Sequence, residues 1–90
     1  MQFEWDPAKA AANILKHAVS FDEASTVFGD TLSVSGRDLD HSVSEARIVT
    51  IGLSSARRVL IVCHTDRGNV IRIFSARPAT RKEKKIYEEG

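Results

Sequence analysis

The sequence has few of the features that mark secreted, membrane or disulfide-rich proteins. Its 90 residues include one cysteine, which rules out an internal disulfide framework. The longest apolar run is Val59–Cys63, far shorter than a membrane span. The opening residues, Met1 to Glu4, lack the basic and apolar segments of a signal peptide. We therefore expect a cytoplasmic protein.

Recognisable cofactor motifs are missing as well. Zinc sites need clustered cysteine and histidine, and the adjacent Cys63 and His64 have no second pair. There is no phosphate-cradling glycine loop and no nucleophile elbow. Asp38, Asp40 and His41 stand close together but have no companion motif, so we interpret them as turn residues. We expect no metal and no other cofactor, and we interpret Cys63, flanked by apolar residues, as an inert core thiol.

What the sequence does have is an ordinary globular composition. Hydrophobic residues make up 42% and charged residues 28%, which argues against disorder. The length predicts a single domain over residues 1–90. Because so small a domain buries a modest fraction of its surface, a binding partner would add usefully to its stability.

Charge is distributed unevenly along the chain. The formal net charge is +1, but residues 1–45 carry three Lys/Arg against eight Asp/Glu, and residues 46–90 carry ten against four. Such asymmetry is typical of a C-terminal half that meets a polyanion. It also fits a domain whose two halves simply pair with each other, and charge alone does not separate these interpretations.

The N-terminal half predicts a short strand and two helices. Residues 3–5 alternate as a strand does, and Asp6-Pro7 supplies an N-cap and a proline for the first helical turn. Apolar residues then recur at helical spacing as far as His17. A capping box of Ser20 and Glu23 opens a second helix, which ends at Gly29. The apolar positions of the first helix are Ala8, Ala11, Ala12 and Leu15, with Ile14 beside them.

The C-terminal half predicts a sheet and a last helix. A polar loop is expected from Gly36 to Ser44, and a turn at Asp66–Asn69. Thr80 and Glu83 form another capping box, opening a helix through Tyr87. The expected strands are Thr31–Ser35, Arg47–Leu53, Arg58–Thr65 and Val70–Arg77. The fold class is therefore α+β, an antiparallel sheet with two N-terminal helices and one C-terminal helix, in the order β-α-α-β-β-β-β-α.

Basic residues on the first helix form one candidate binding surface. Lys9, Asn13 and Lys16 have the spacing of a shared polar helix face, and His17 adjoins them. The alternative is a solvated face without function.

A second basic set lies near the C-terminus. Alternation along the strand places Arg72 on one face with Phe74, and Arg77 on the other with Ile71 and Ile73. A charge among apolar residues needs a partner, either an acidic side chain or a phosphate. Further basic residues follow on the last helix, whose N-terminus near Thr80 can also attract an anion. They are Arg81, Lys82, Lys84 and Lys85.

His64 is the remaining candidate, at the end of the expected central strand. A histidine there can act as a general acid or base near neutral pH. A lone strand histidine is, however, more often structural.

In three segments the sequence resembles the BrnT toxins. The first is Phe3-x-Trp5-Asp6, Lys9, Asn13, Lys16-His17, then Val19-Ser20-Phe21 with Glu23-Ala24; the second is His64-Thr65-Asp66-Arg67-Gly68; the third is Ile71 to Arg77, then Ala79-Thr80-Arg81-x-Glu83 and Tyr87. The three segments come in the family's order and cover nearly the whole chain. Pro78 departs from the pattern, since relatives often have a basic residue there, which removes one phosphate contact.

The resemblance implies a RelE-like fold and a ribonuclease toxin that inhibits translation and growth. It also implies neutralisation by a BrnA-like antitoxin, in a hetero-oligomer in which the antitoxin alone contacts DNA. A metal-free ribonuclease uses the RNA 2′-hydroxyl as nucleophile, so the protein must move protons and stabilise charge on phosphorus.

On side-chain chemistry at the matching positions, each role has a candidate. We expect Arg67, Arg77 and Arg81 to stabilise charge and His64 to transfer protons. The expected substrate-binding residues are Lys9, Lys16, His17, Arg72, Lys84 and Tyr87. Tyr87 can donate a hydrogen bond or stack on a base, and Trp5 can stack or belong to the core. The alternatives are a nucleic-acid-binding module without catalysis and a pure interaction domain.

Overall fold

The structure, a computed structural model, describes residues 1–37 and 47–90. The described elements are β1 (Gln2–Glu4), α1 (Pro7–His17), α2 (Phe21–Thr26), a 3-10 turn (Val27–Gly29), β2 (Val34–Arg37), β3 (Ile48–Leu53), β4 (Val59–Arg67), β5 (Val70–Pro78) and α3 (Arg81–Glu89). The five strands form one sheet in the order β1-β5-β4-β3-β2. All pairs are antiparallel except β1 with β5, which is parallel. The predicted α+β class is confirmed, and the sheet is antiparallel apart from this one edge.

The first strand after the helices begins later than predicted. We expected Thr31–Ser35, but β2 starts at Val34, because the Asp30 carboxylate accepts a hydrogen bond from the backbone N–H of Leu32 and holds a turn there (3.0 Å). Leu32, within the predicted strand, lies in this turn and is 70% exposed. The predicted loop from residue 36 to 44 falls largely in residues 38–46, outside the described residues, as do Asp38, Asp40 and His41.

Capping residues begin all three helices, as the sequence predicts. The Asp6 carboxylate accepts from the Ala8 N–H at 2.8 Å, and Thr80 with Glu83 completes a reciprocal capping box. Ser20 caps α2, but the Glu23 carboxylate turns away to Arg58 and Ser54, so that second capping box is only half formed.

The sheet has a core on each side. Helices α1 and α2 cover one face, and the main core lies beneath them, with Phe21, Leu60, Val62 and Ile73 all almost fully buried. On the opposite face a smaller cluster of Ile51, Ile61 and Ala79 packs with Tyr87 of α3. Consequently α3 covers only part of that second face.

Helix α1 turns an unexpected side toward the sheet. Asn13, predicted on a polar face with Lys9 and Lys16, is 6% exposed. Its amide donates to the carbonyl oxygens of Val19 and Ala76, at 2.9 and 2.8 Å, and accepts from the Ala76 N–H at 3.2 Å. Asn13 thus satisfies the edge of β5 beyond β1, where no strand of the described residues pairs with it. The apolar positions of this helix face outward instead: Ala8, Ala11, Ala12, Ile14 and Leu15 are all exposed.

A β-bulge in β5 inverts the alternation predicted for this strand. Ser75 pairs with Cys63 and Ile73 with His64, so Phe74 is an extra residue opposite no partner. Directly opposed residues in a sheet share a face. Because the bulge adds one residue, Arg72 and Arg77 lie on the same face of the sheet, and the prediction that they lie on opposite faces was wrong.

Two polar contacts attach α3 to the rest of the domain. The Arg77 guanidinium donates two hydrogen bonds to the Glu83 carboxylate, at 2.7 and 2.8 Å. One turn later the Tyr87 hydroxyl donates to Asp30 at 2.6 Å. Because no residue of α3 is fully buried, the position of the helix depends strongly on these contacts.

The first prediction tests the role of Asn13. Asn13→Ala removes the side-chain partner of two carbonyls, those of Val19 and Ala76, and of the Ala76 N–H, and we expect the free energy of unfolding to fall by about 2 kcal/mol. Leu15→Ala, on the same helix but 90% exposed, is the matched control and should change stability by less than about 0.5 kcal/mol. Urea unfolding followed by circular dichroism measures both. Equal losses in the two variants would contradict the assignment.

The second prediction concerns the Arg77–Glu83 pair. Hydrogen bonds from Arg77 hold the pKa of the Glu83 carboxyl at about 2, below its ordinary value of 4.5. The pair therefore stabilises the fold above about pH 4.5, and that stability is lost as the pH falls toward 2. We expect Arg77→Ala and Glu83→Gln each to lower the free energy of unfolding at pH 7 by about 1–2 kcal/mol.

The measurement is thermal unfolding at a series of pH values. The gap between the wild type and Glu83→Gln should close between pH 4.5 and 2. Glu88→Gln removes the same charge from an exposed position of α3 and serves as the control. A gap independent of pH would show that the ion pair does not stabilise the fold.

Candidate functional site

The sheet surface opposite α1 and α2 collects the arginines of the hairpin formed by β4 and β5. Arg77 is opposite Ile61 of the smaller core cluster, and Arg72 is opposite Thr65, so both point away from α1 and α2. Alternation from Thr65 places Arg67 on the same side. We call this surface the basic face; it comprises Arg67, Arg72, Phe74 and Arg77, together with Lys9 and Arg47, which contact the Phe74 ring.

Phe74 lies between two cations. The guanidinium carbon of Arg47 is 4.4 Å from the ring centroid, and the Lys9 ammonium nitrogen is 5.6 Å from it. Lys9 reaches the ring from α1, which runs along the edge of β5, whereas Arg47 immediately precedes β3. Lys9 was a predicted binding residue, but Arg47 and Phe74 were given no role. The bulge places Arg47 and Phe74 together, and no feature of the sequence predicts the bulge.

Arg67 and Arg72 share one carboxylate at the turn end of the hairpin. Each has a guanidinium nitrogen 3.7 Å from the same Glu4 oxygen. That distance is too long for a strong hydrogen bond, and the Arg67 and Glu4 side chains are 51% and 42% exposed. Exposed pairs of this kind contribute little to stability. The contacts with Glu4 therefore hold neither guanidinium tightly.

Arg77 is held more tightly than Arg67 and Arg72, because it binds the carboxylate of Glu83. Its bidentate contact with Glu83 raises the pKa of the guanidinium, which stays protonated at every physiological pH. The side chain is nevertheless 41% exposed, so a phosphate can approach it from solvent. Cys63, predicted as a core thiol, instead lies half-buried on this same face, opposite Ser75.

His64 lies on the other side of the sheet and is only 2% exposed. Its Nε2 is 2.8 Å from the Thr50 hydroxyl and its Nδ1 is 2.9 Å from the Asp66 carboxylate, with the Phe28 ring edge-on at 4.8 Å. Burial lowers the pKa of the imidazole, and hydrogen bonding to Asp66 opposes that shift without overcoming it. At neutral pH the ring is therefore neutral and fully hydrogen-bonded. The structure does not bring His64 together with the arginines predicted to act beside it, and its role in proton transfer stays a prediction.

The remaining predicted residues surround the basic face without converging on one point. Arg81 and Lys84 are exposed on α3 and form no ion pair within residues 1–37 and 47–90, while Lys16 is exposed and His17 half-buried at the end of α1. The Tyr87 hydroxyl donates to Asp30, which raises the pKa of the tyrosine. Trp5 packs edge-on against Phe21 at 5.8 Å, so its side chain belongs to the core.

The described part of the chain offers neither a metal site nor a membrane-spanning helix. Across those residues, no three His, Cys, Asp or Glu side chains come close enough together to hold a metal ion. No described helix has the length and apolar character needed to span a membrane.

Comparison with known proteins bears on the fold and on the family. A search of curated proteins finds no match. The fold is similar to the crystal structure of the Brucella abortus ribonuclease toxin BrnT, with a TM-score of 0.65 and 20% sequence identity over 90% of this chain and 99% of that one. The model of one family, described as the ribonuclease toxin BrnT of type II toxin-antitoxin systems, matches residues 5–83. The chain therefore belongs to the BrnT family of ribonuclease toxins.

Proposed function

We propose that this protein is an endoribonuclease that cleaves RNA without a metal, by attack of a 2′-hydroxyl on the adjacent phosphate. The observation that carries the proposal is the basic face, where the bulge aligns Arg72 with Arg77 and adds Lys9 and Arg47 beside an aromatic ring. Arginine's planar fork suits phosphate oxygens, and its fixed charge can stabilise a phosphorane. Membership of a ribonuclease family supports the same reaction.

The reaction requires two proton transfers and charge stabilisation. The 2′-oxygen loses a proton as it bonds to phosphorus, and the 5′-oxygen gains one as its bond to phosphorus breaks, leaving a cyclic phosphate and a 5′-hydroxyl. We propose Arg67, Arg77 and Arg81 as the stabilising cations. His64 is the proposed proton-transfer group. It lies on the opposite side of the sheet from the arginines, so the proton would have to pass through the half-exposed Asp66 carboxylate bonded to its Nδ1, and through solvent, to reach the basic face.

The other predicted residues are proposed to hold the substrate. Arg72 and Lys9 lie on the basic face, and Lys16, His17 and Lys84 extend the positive surface along α1 and α3. Tyr87 is proposed to contribute through its ring rather than its hydroxyl, because the hydroxyl is bonded to Asp30.

The third prediction is that cleavage survives chelation. Arginines do not need a divalent ion, so RNA incubated with the purified protein should be cut at the same rate with and without EDTA. Products should carry a cyclic phosphate, which mass spectrometry detects. Loss of cleavage in EDTA with recovery on adding a divalent ion would overturn the metal-free mechanism; the absence of any cleavage would overturn the nuclease.

One set of contacts favours a second candidate, a binding or interaction domain without catalysis. Glu4 pairs with Arg67 and Arg72, and Glu23 with Arg58, so acidic residues of the N-terminal half do neutralise part of the basic C-terminal half. A domain that only pairs its halves should show no salt-dependent affinity for RNA, and should not cut it. A nucleic-acid binder would still show an affinity that falls steeply with salt.

We propose further that the toxin is neutralised by a BrnA-like antitoxin in a hetero-oligomer, and that contact with DNA is made only by the antitoxin. The target of the toxin would be cytoplasmic RNA, and its effect would be to inhibit translation and growth. The fold of the toxin would be RelE-like. A family of type II toxins implies an antitoxin partner. We propose that acidic antitoxin side chains compete with phosphate and cover the arginines and the lysines of α3: Arg72, Arg77, Arg81, Lys82, Lys84 and Lys85.

The fourth prediction tests this partnership. Expression of the chain alone should arrest growth, and co-expression of the neighbouring antitoxin should restore it. Charge reversal of the exposed Lys84 and Lys85 to Glu should slow association with the antitoxin, measured by stopped-flow at low salt, without changing the melting temperature by more than about 2 °C. Unchanged association kinetics would place the antitoxin elsewhere. Harmless expression of soluble, folded protein would contradict toxicity itself.

A further inference from the structure

Phe74 is the aromatic residue that neither core uses. All six aromatic residues of the sequence are described, and the other five belong to or pack against one of the two hydrophobic clusters: Phe3, Trp5, Phe21, Phe28 and Tyr87. Phe74 remains half-buried at the bulge, an irregularity that proteins use to re-aim a side chain. Part of its apolar ring therefore stays in contact with water, and covering that part with an external group is favourable.

The surroundings of the ring define what that group is. Arg47 and Lys9 contact the ring, at 4.4 and 5.6 Å, and Arg72 is two residues away along the same strand. Cations beside a half-buried aromatic ring match a single-stranded nucleic acid, whose bases stack and whose phosphates are negative. A duplex does not fit as well, because its bases are already stacked on one another.

We propose that Phe74 stacks on one nucleobase of single-stranded RNA, while Arg47 and Lys9 bind the phosphates next to that base. The proposal rests on the proposed function and names the base-recognition residue of that same site. The Lys9 ammonium is held over the ring by a weak cation–π contact, whereas its hydrogen bonds to a phosphate are charge-assisted at both ends. An arriving phosphate thus draws Lys9 from the ring, and the base takes its place.

The experiment uses two uncleavable chains of equal length. One is a 2′-O-methyl oligoadenylate, which has no 2′-hydroxyl nucleophile; the other is the same backbone with every base removed. Fluorescence anisotropy of each labelled chain gives its Kd. The wild type should bind the chain with bases about tenfold more tightly than the abasic chain, the scale of one stacked base.

Variants assign that ratio to the ring. Phe74→Leu keeps apolar bulk but should bring the ratio close to one, while Phe74→Trp should retain it. Arg47→Gln should weaken binding of both chains alike. The matched control is Arg57→Asn, which removes an equal charge from an exposed turn whose φ of 62° asparagine tolerates; it should leave the ratio unchanged.

The outcomes separate this inference from the proposed function. A wild-type ratio near one, or an undiminished ratio in Phe74→Leu, overturns base stacking even if RNA is cut normally. A tenfold ratio that Phe74→Leu abolishes supports stacking even if no RNA is cut, in which case the nuclease fails alone.

If Phe74→Leu does not fold, Phe74→Trp decides instead. Its added fluorescence, above that of Trp5 in the wild type, should be quenched by the chain with bases and not by the abasic chain. Equal quenching by both chains overturns the inference.

Discussion

The β-bulge at Phe74 is the constraint on which the basic face depends. Without it, strict alternation along β5 would direct Arg72 and Arg77 to opposite sides of the sheet, and one of them into the core beneath α1 and α2. With it, the core residues Ile73 and Ala76 both point toward the helices and both arginines point away. The same extra residue puts the Phe74 ring beside Arg47 and Lys9.

Helix α1 packs along the edge of β5, and Asn13 makes the hydrogen bonds that hold it there. Beyond Arg72, the outer edge of β5 has no strand partner within residues 1–37 and 47–90. An asparagine amide, with one acceptor and a two-hydrogen donor, replaces the missing strand at Ala76 and binds the carbonyl of Val19 as well. Because α1 is held at this edge, Lys9 one turn earlier reaches the ring of Phe74. Stability and the candidate site thus share one set of contacts.

The ion pairs of the structure explain part of the uneven charge distribution along the sequence. Acidic residues attach elements to one another: Glu23 to Arg58, Glu83 to Arg77, and Glu4 more loosely to Arg67 and Arg72. Both interpretations left open by the sequence are partly represented, since the halves do pair. The exposed basic residues of α3, which have no ion-pair partner among the described residues, carry positive charge that this pairing does not neutralise.

Much of the fold follows from the sequence because its signals are local. Asp6-Pro7, Ser20 and Thr80 begin helices by hydrogen bonds that span two or three residues, and these predictions are confirmed. The side of α1 that is buried could not be predicted, because alanines are equally compatible with solvent and core, and Asn13 is buried only where a distant strand edge needs it. The hydrogen-bond partners of three side chains could not be predicted for a similar reason. Nothing near Arg77, His64 or Tyr87 in the sequence specifies Glu83, Thr50 or Asp30 as the group that binds it.

The central claim is that RNA binds the basic face. The most direct test is to titrate the ¹⁵N-labelled protein with an uncleavable single-stranded 2′-O-methyl RNA and follow the backbone amide resonances. The account predicts shifts concentrated at Arg47, Arg72, Phe74 and Ser75 and at Lys9, with little change at Phe21 and Ala24 under the opposite face. Shifts confined to α2 and the exposed apolar side of α1, with the basic face unaffected, would contradict it.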